Sequence, residues 1–410
     1  MTHRIRSLAD LDPLAGRHVL TLFSGGLDSS FVLRELARRG CRTTALAVDV
    51  GDGIRRDDLQ SIANHFGAEL QVVDAREEFI EKGVVPAIRA QAKYLGIYPI
   101  SSSLTRPIMA AAAIRVAKGL GCEAIVHTAN QSQNSLRRLN GAIAQQGFTG
   151  FYGTPYEFSA LSREHKIAAL AAEGLERFQA RGISGDANLW VREFESGSLD
   201  NPEAFWVPES LYMWTAPSAR AYDTDLSIRF EAGRPVAVNG DAAPLIEMIE
   251  QLNLRAGAFG IGRYCGLEHL DAGEKVLEVR EAPAATLLMD AYRHLETATI
   301  EYEVLREKLV QEQLWVREAI EGRWFGHLRE SAESFMRSTS KRVSGTVAYR
   351  LRTGAADVCS IVAQRPLYLT DRDAWEKEVA AVRGRGLVQP SLAPTPAPAP
   401  MQRALQEVEA

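Results

Sequence analysis

Cysteine is scarce in this chain of 410 residues, with four at positions 41, 122, 265 and 359 and none in a CxxC pair. That spacing excludes a zinc cage or a disulfide framework and fits a reducing compartment. Long apolar runs are missing too: no uninterrupted stretch reaches the roughly 20 residues that span a bilayer. The opening residues, MTHRIRSLADLDPLAG, carry acids and no apolar block, so no secretory signal is expected. Nor is there an excess of basic charge, since 47 Lys+Arg face 52 Asp+Glu for a net charge of −5, which excludes a globally polybasic surface for nucleic acid. Internal repeats are absent. The expectation is a cytoplasmic protein with neither nucleic-acid nor membrane partners. What is present is ordinary globular material, 46% hydrophobic and 24% charged, in a chain long enough for two domains.

The first third alternates short apolar runs with helical patterns. Residues 18–23 (HVLTLF), 43–50, 69–73 and 123–127 read as strands, and 31–39, 57–66 and 107–120 as helices, with glycines 40 and 121 ending two of them. This alternation predicts an α/β fold, a Rossmann-like parallel sheet with helices on both faces and ligands beyond the strand ends at Ser24, Gly51 and Thr128. From about 161 the texture changes. Residues 162–173 read as a helix capped by Ser162, 226–239 as paired strands about a turn at 231–235, 284–320 as helical, and 346–362 as strand again. The expected division is 1–17 as an extension, 18–160 as a nucleotide-binding domain, 161–365 as an α+β domain, 366–388 as a C-terminal helical arm and 389–410 as a Pro-rich tail.

Strand, SGGLDSS (24–30) and helix in succession have a physical purpose. Two glycines let the backbone approach a ligand, the amides opening the helix attract an anion, and Ser24, Ser29 and Ser30 add hydroxyls. Asp28 is suited to hold a metal or orient an amide. The heptad resembles the pyrophosphate loop of the N-type ATP pyrophosphatases and not the Walker loop, which needs GxxxxGK[ST]. A second motif, YPISSSLTRP (98–107), resembles YPLGTxLARP of the argininosuccinate synthase family. So do HTANQSQNSLRR (127–138), ISGDANLWVR (183–192), the stretch from Gly262 to Thr286, and KRVSGT (341–346). The chain is identified as a member of that family over about 18–370.

The resemblance implies an enzyme, an ATP- and Mg²⁺-dependent carbon–nitrogen ligase that forms AMP and pyrophosphate. It places ATP on Leu22, Ser24, Gly25, Gly26, Leu27, Asp28, Ser29, Ser30, Val48 and Thr128. The acceptor falls to Tyr98, Ser103, Arg106, Asn134, Arg138, Ser184, Glu193, Glu268 and Arg280, and the amine to Asn130, Asn134 and Ser135. Catalytic weight rests on Asp28, Asn134 and Arg138, and the metal ligands are left unassigned. The family's C-terminal arm implies a homodimer or homotetramer.

The chain departs from the family in both substrate pockets. An aspartate-site acid is Ser135, the loop's Gly-Lys-Gly is Gln131-Ser132-Gln133, and a citrulline-contacting Ser and Tyr are Glu193 and Arg280. These changes are consistent with a new ion pair or with a differently charged acceptor. The reading is an enzyme acting on small amino-acid substrates, adenylating a citrulline-like acceptor and joining it to an amine other than, or in addition to, aspartate. Genuine argininosuccinate synthesis, a non-catalytic nucleotide-binding protein and a tRNA thiolase are the alternatives. The last ordinarily needs catalytic cysteines and a basic surface. His127 reads as structural, not catalytic.

Overall fold

The computed structural model describes residues 3–51, 53–178, 183–216, 223–270 and 273–383. The parallel sheet is built from β1 (Arg4–Ile5), β2 (His18–Leu22), β3 (Arg42–Asp49), β4 (Glu69–Asp74), β5 (Ala124–Val126) and β6 (Phe151–Gly153). Leu20, Leu22, Leu46 and Val48 bury toward one side, while Val19, Ala45 and Ala47 bury toward the other. Strands apolar on both faces need cover on both, which is the condition a parallel sheet with flanking helices satisfies. The spatial order is β1, β6, β5, β2, β3, β4, with every neighbouring pair parallel. Winding therefore reverses between β2 and β5, and the loops leaving these two strands open side by side at the carboxyl edge. Those loops are 23–26 and 127–134.

Several boundaries differ from the sequence reading for identifiable reasons. The stretch 1–17 is not only an extension, because Arg4–Ile5 pairs with β6 as an edge strand. The first helix is Leu27–Arg38, so residues 27–30 are its opening turn and only 23–26 form the loop. The helix expected from Pro107 begins at Ser102 and runs to Leu120. A proline in the second turn deprives the Ser103 carbonyl of a donor, but burial of Leu104, Ile108, Ala112 and Ala113 holds the helix through it.

Residues 183–365 add two antiparallel sheets. One orders Arg263–His269, Lys275–Glu281, Arg192–Glu195 and Ser184–Ala187; the other orders Asp241–Ala242, Arg234–Val238, Thr224–Glu231, Gly345–Arg352 and Ala355–Ala363. The helical pattern at 284–320 is two helices, Pro283–Thr299 and Tyr302–Ile320, broken where Ile300 turns extended. With no glycine or proline at the break, local pattern carried no sign of it. A fully buried Lys308 of the second helix ties it to the first through Glu296 (2.7 Å) and also pairs with Glu312 one turn on in its own helix. One hydrophobic cluster runs from Leu20 and Leu46 through Trp190 and Met248 to Tyr349, so the parallel sheet and the later sheets share a core. A second unit begins at Pro366 and is described as far as residue 383. Its helix is Arg372–Arg383, within the arm expected at 366–388, and the Pro-rich tail at 389–410 lies outside the described residues. Among the described residues, no helix is long and apolar enough to cross a membrane.

Candidate active site

The turn after β2 is shaped for an anion. Gly25 adopts φ +72°, where an L side chain is strained and where a Cβ would stand 2.5 Å from Leu59. Gly26 then caps the Leu27–Arg38 helix in extended conformation (φ −77°, ψ 172°) and has no side chain to offer. The opening amides of a helix have no intrahelical acceptor. Ser30 N–H reaches back to the Gly26 carbonyl, which leaves those of Leu27, Asp28 and Ser29 to a ligand at the positive end of the helix dipole. Ser24 and Ser29 hydroxyls lie 3.3 Å apart beside them. Ser30 Oγ is buried with no hydrogen-bond partner among the described residues. The residues present therefore fit a polyphosphate. A divalent metal fits less well: no group of three or more His, Cys, Asp or Glu could hold one among the described residues. The Asp28 carboxylate instead accepts from Lys166 Nζ at 2.6 Å.

The second assembly centres on Glu268, almost fully buried in the strand Arg263–His269. Its Oε1 accepts from Asn134 Nδ2 (2.9 Å) and Arg138 (2.6 Å), and its Oε2 from Tyr98 Oη (3.2 Å) and Arg280 (3.0 Å). Burial raises the Glu268 pKa, but Arg138 and Arg280 outweigh it and hold the carboxyl well below the usual range. Arg280 lies 4.2 Å over the Tyr98 ring, donates to the Pro99 carbonyl (2.9 Å), and pairs with Glu193 (3.3 Å) and Glu278. Tyr98 can lie there because Gly266 opposite has no Cβ; one would stand 2.6 Å from the ring. Burial pushes Glu193 and Glu278 above the ordinary carboxylate range despite Arg280.

Strand register explains the gathering. Glu193 lies directly opposite Arg280 on one side and Asp186 on the other, and residues opposite one another share a face. Arg106, from the Ser102–Leu120 helix, closes the cluster by pairing with Asp186 and donating to Ser135 Oγ at 3.0 Å. Asn188 Nδ2 donates to Ser101 Oγ at 2.9 Å and anchors the cap of that helix.

Other sequence-selected residues fall less centrally. Leu22 and Val48 are buried strand residues of the core, and Thr128 is half-buried in the loop after β5. Asn130 turns inward on its own loop, accepting from Ser132 N and Oγ. Ser184 stands exposed on the edge strand. Ser103 is buried, yet the serine that meets Arg138 is its neighbour Ser102, at 2.8 Å. Sequence reasoning missed Ser102, Asp186, Glu195, Glu278 and Lys166. The i, i+2 acids Glu193 and Glu195 in the strand 192–195, and the i, i+2 alternation of Glu278 with Arg280 in the strand 275–281, were the available signal for Glu195 and Glu278.

His127 ends β5 fully buried. Its Nδ1 accepts from Ala129 N–H (3.3 Å) and its Nε2 faces Asn140 Oδ1 (3.0 Å), so the neutral ring carries its proton on Nε2. Burial lowers its pKa to about 4, although Asn140 pulls upward. The unfolded chain then binds a proton below its ordinary pKa of about 6.5 while the native state does not, so stability is lost as pH falls from about 6.5 toward 4. The loss reaches at most about 3 kcal/mol at the acid end. Urea midpoints across that window should fall more steeply for the parent than for His127→Gln.

Family models match both halves of the chain: the arginosuccinate synthase N-terminal HUP domain over residues 18–176 and the arginosuccinate synthase C-terminal domain over 183–391. Argininosuccinate synthase of Rubrobacter xylanophilus is 33% identical over 370 residues, 89% of this chain and 90% of that protein. That of Parasynechococcus marenigrum is 34% identical over 347 residues, 83% and 86% respectively. The chain belongs to the argininosuccinate synthase family. It is accordingly an ATP-dependent carbon–nitrogen ligase. Among solved structures, that of NMN synthetase from Francisella tularensis is similar at 16% identity, covering 41% of this chain and 66% of that one with a TM-score of 0.30. Within this argininosuccinate synthase family member, the Glu268 cluster draws Tyr98 and Arg138 from the first matched half and Glu193 and Arg280 from the second.

Proposed function

We propose that this family member adenylates a ureido or carboxyl oxygen of a citrulline-like acceptor and joins it to an amine other than, or in addition to, aspartate. The observation that carries the reading is the buried Glu193–Arg280 pair, with Glu278 and Glu268 on the same guanidinium. Neutral hydroxyls in those two places would hydrogen-bond a polar substrate; an ion pair instead fixes charge in the pocket wall. Around it stand five carboxylates (Asp186, Glu193, Glu195, Glu268, Glu278) and three guanidiniums (Arg106, Arg138, Arg280). Burial raises Glu193, Glu195 and Glu278, so protons relieve part of that excess, and a substrate bringing positive charge would take their place, because buried charges are stable only when paired.

ATP lies with its outer phosphates on the amides of residues 27–29. Mg²⁺ would enter with those phosphates, since it is usually bound through substrate oxygens and one or two carboxylates; Asp28 is the carboxylate at hand. Asn134 and Arg138, already fixed on Glu268, orient the acceptor. Its oxygen attacks the α-phosphorus, pyrophosphate leaves onto the amides, and an amine attacks the activated carbon and expels AMP. Orientation and preorganised donors supply most of the barrier reduction. On the amine side, Ser135 stands where the family carries an acid and its hydroxyl already accepts from Arg106, so the carboxylate that would pair an aspartate ammonium at that position is missing. Cytoplasmic location and a homo-oligomer belong to the same reading.

The sequence identity to argininosuccinate synthases and the open phosphate turn favour a second reading, plain citrulline–aspartate ligation. AMP release measured with citrulline and aspartate, then with cationic acceptors and other amino acids, separates the two. The proposed enzyme turns over a pair from the second set at least roughly tenfold more efficiently, about 1.4 kcal/mol of discrimination. Turnover as good or better on citrulline with aspartate establishes the plain reading instead.

A further inference from the structure

A carboxylate in the first turn of a helix is favourable for the helix but repels any anion bound at its amides. Asp28 is in that position, half-exposed beside the three open amides. Lys166 answers the conflict. It lies in the first turn of the helix Arg163–Ala171, whose start is fixed by Ser162 Oγ accepting from His165 N–H at 3.1 Å. Its side chain is nearly buried, its Nζ sits 4.7 Å over the Tyr156 ring, and Tyr156 Oη donates to the Asp28 carbonyl at 3.0 Å. The ammonium is therefore held against Asp28 by a built socket, not by a chance surface encounter. An ammonium has three donors, and Asp28 takes one.

The buried, unpartnered Ser30 hydroxyl independently marks the same turn as a ligand site. The loop after β5 brings Gln131, Ser132 and Gln133 to the neighbouring strand end and no cation of its own between Thr128 and Leu136. We propose that Lys166 is the resident cation of the polyphosphate site: it neutralises Asp28 and turns the remaining donors toward the phosphates. The proposal rests on the reading that residues 24–30 hold the triphosphate. Lys166 acts here as a positioning and binding residue, without bond-making of its own.

Calorimetric titration of ATP and of inorganic pyrophosphate onto the full chain tests it, using the parent, K166M, K166Q, D28N and D28N/K166M, each with and without Mg²⁺. Loss of a charge-assisted contact predicts binding roughly 10- to 100-fold weaker in K166M and K166Q without Mg²⁺. Added Mg²⁺ narrows the gap, because a divalent ion supplies the missing charge. Most of the affinity returns in D28N/K166M, where the uncompensated carboxylate is gone too. Thermal melts show that each variant is folded. Parent-level pyrophosphate binding by a folded K166M, or a double variant as weak as K166M, overturns the role of Lys166 alone. Failure of the parent to bind ATP or pyrophosphate removes the phosphate-site reading and this proposal with it.

Discussion

Gly26→Asp should abolish AMP and pyrophosphate release, by at least roughly 100-fold, while leaving the protein as stable as the parent or slightly more so. The two effects have one cause. Gly26 occupies the N-cap of the Leu27–Arg38 helix without a capping side chain, at φ −77° and ψ 172°, backbone angles that any residue adopts. Its Cβ would meet nothing closer than Ser24 Oγ at 3.4 Å. An aspartate there accepts hydrogen bonds from the amides two and three residues on, those of Asp28 and Ser29, and stabilises the helix by a few tenths of a kcal/mol relative to glycine. Those are the donors assigned to phosphate, now satisfied by a carboxylate that also repels the nucleotide. Gly25→Asp is the contrasting variant: its φ of +72° and the Leu59 contact make it a folding defect. A thermal melt alongside an AMP-release assay reads both. Parent-level turnover by Gly26→Asp would show that the turn does not hold the phosphates.

How much of this was open to inspection in the chain alone depends on how local each feature is. The strand, turn and helix around Ser24–Ser30 were legible because all the determinants lie within about twenty residues, and a glycine pair before a helix has few other uses. Strand–helix alternation announced a parallel sheet with helices on both faces, but the switch between β2 and β5 depends on strand order, which alternation does not encode. The partners of these elements were not legible. Lys166 reaches Asp28 across 138 positions, and nothing in the spacing of either residue announces the other. Asp186, Glu193 and Arg280 meet only because three antiparallel strands take one register, a choice made by long-range packing. The alternation of Glu193 with Glu195 and of Glu278 with Arg280 did encode a charged face, though not which face it would meet. The early start at Ser102 was hidden by Pro107, whose ordinary place is the first turn of a helix and which here sits in the second.

Arg280→Met should cost about 3–5 kcal/mol of stability near pH 8, among the largest effects available to one substitution outside the hydrophobic core. The guanidinium is fully buried and serves Glu193, Glu268 and Glu278 together. Removing it leaves Glu268 with Arg138 but strands the other two acids in a low-dielectric wall. Their pKa values are already raised by burial with Arg280 present, and without it they rise further. For an acid whose folded pKa exceeds its unfolded value of about 4.3, the native state binds the extra proton, so the penalty is full above the folded pKa and is relieved as pH falls through it. Urea midpoints should therefore show the deficit of Arg280→Met largest at pH 8 and smaller near pH 6, a trend opposite in sign to that expected from His127. Met fills the volume without the charge, so a folding loss through cavity formation is minimised. Combining Arg280→Tyr with Glu193→Ser and Glu278→Gln removes the stranded charges and should recover most of the stability. It also replaces the ion-paired wall by hydroxyls, so kcat/KM for citrulline with aspartate should rise roughly tenfold or more over the parent. Recovery of stability without any gain on citrulline would mean that the ion pair is structural and that acceptor choice is set elsewhere. An Arg280→Met variant as stable as the parent at pH 8 would mean that the cluster is not the closed electrostatic unit from which the substrate reading was drawn.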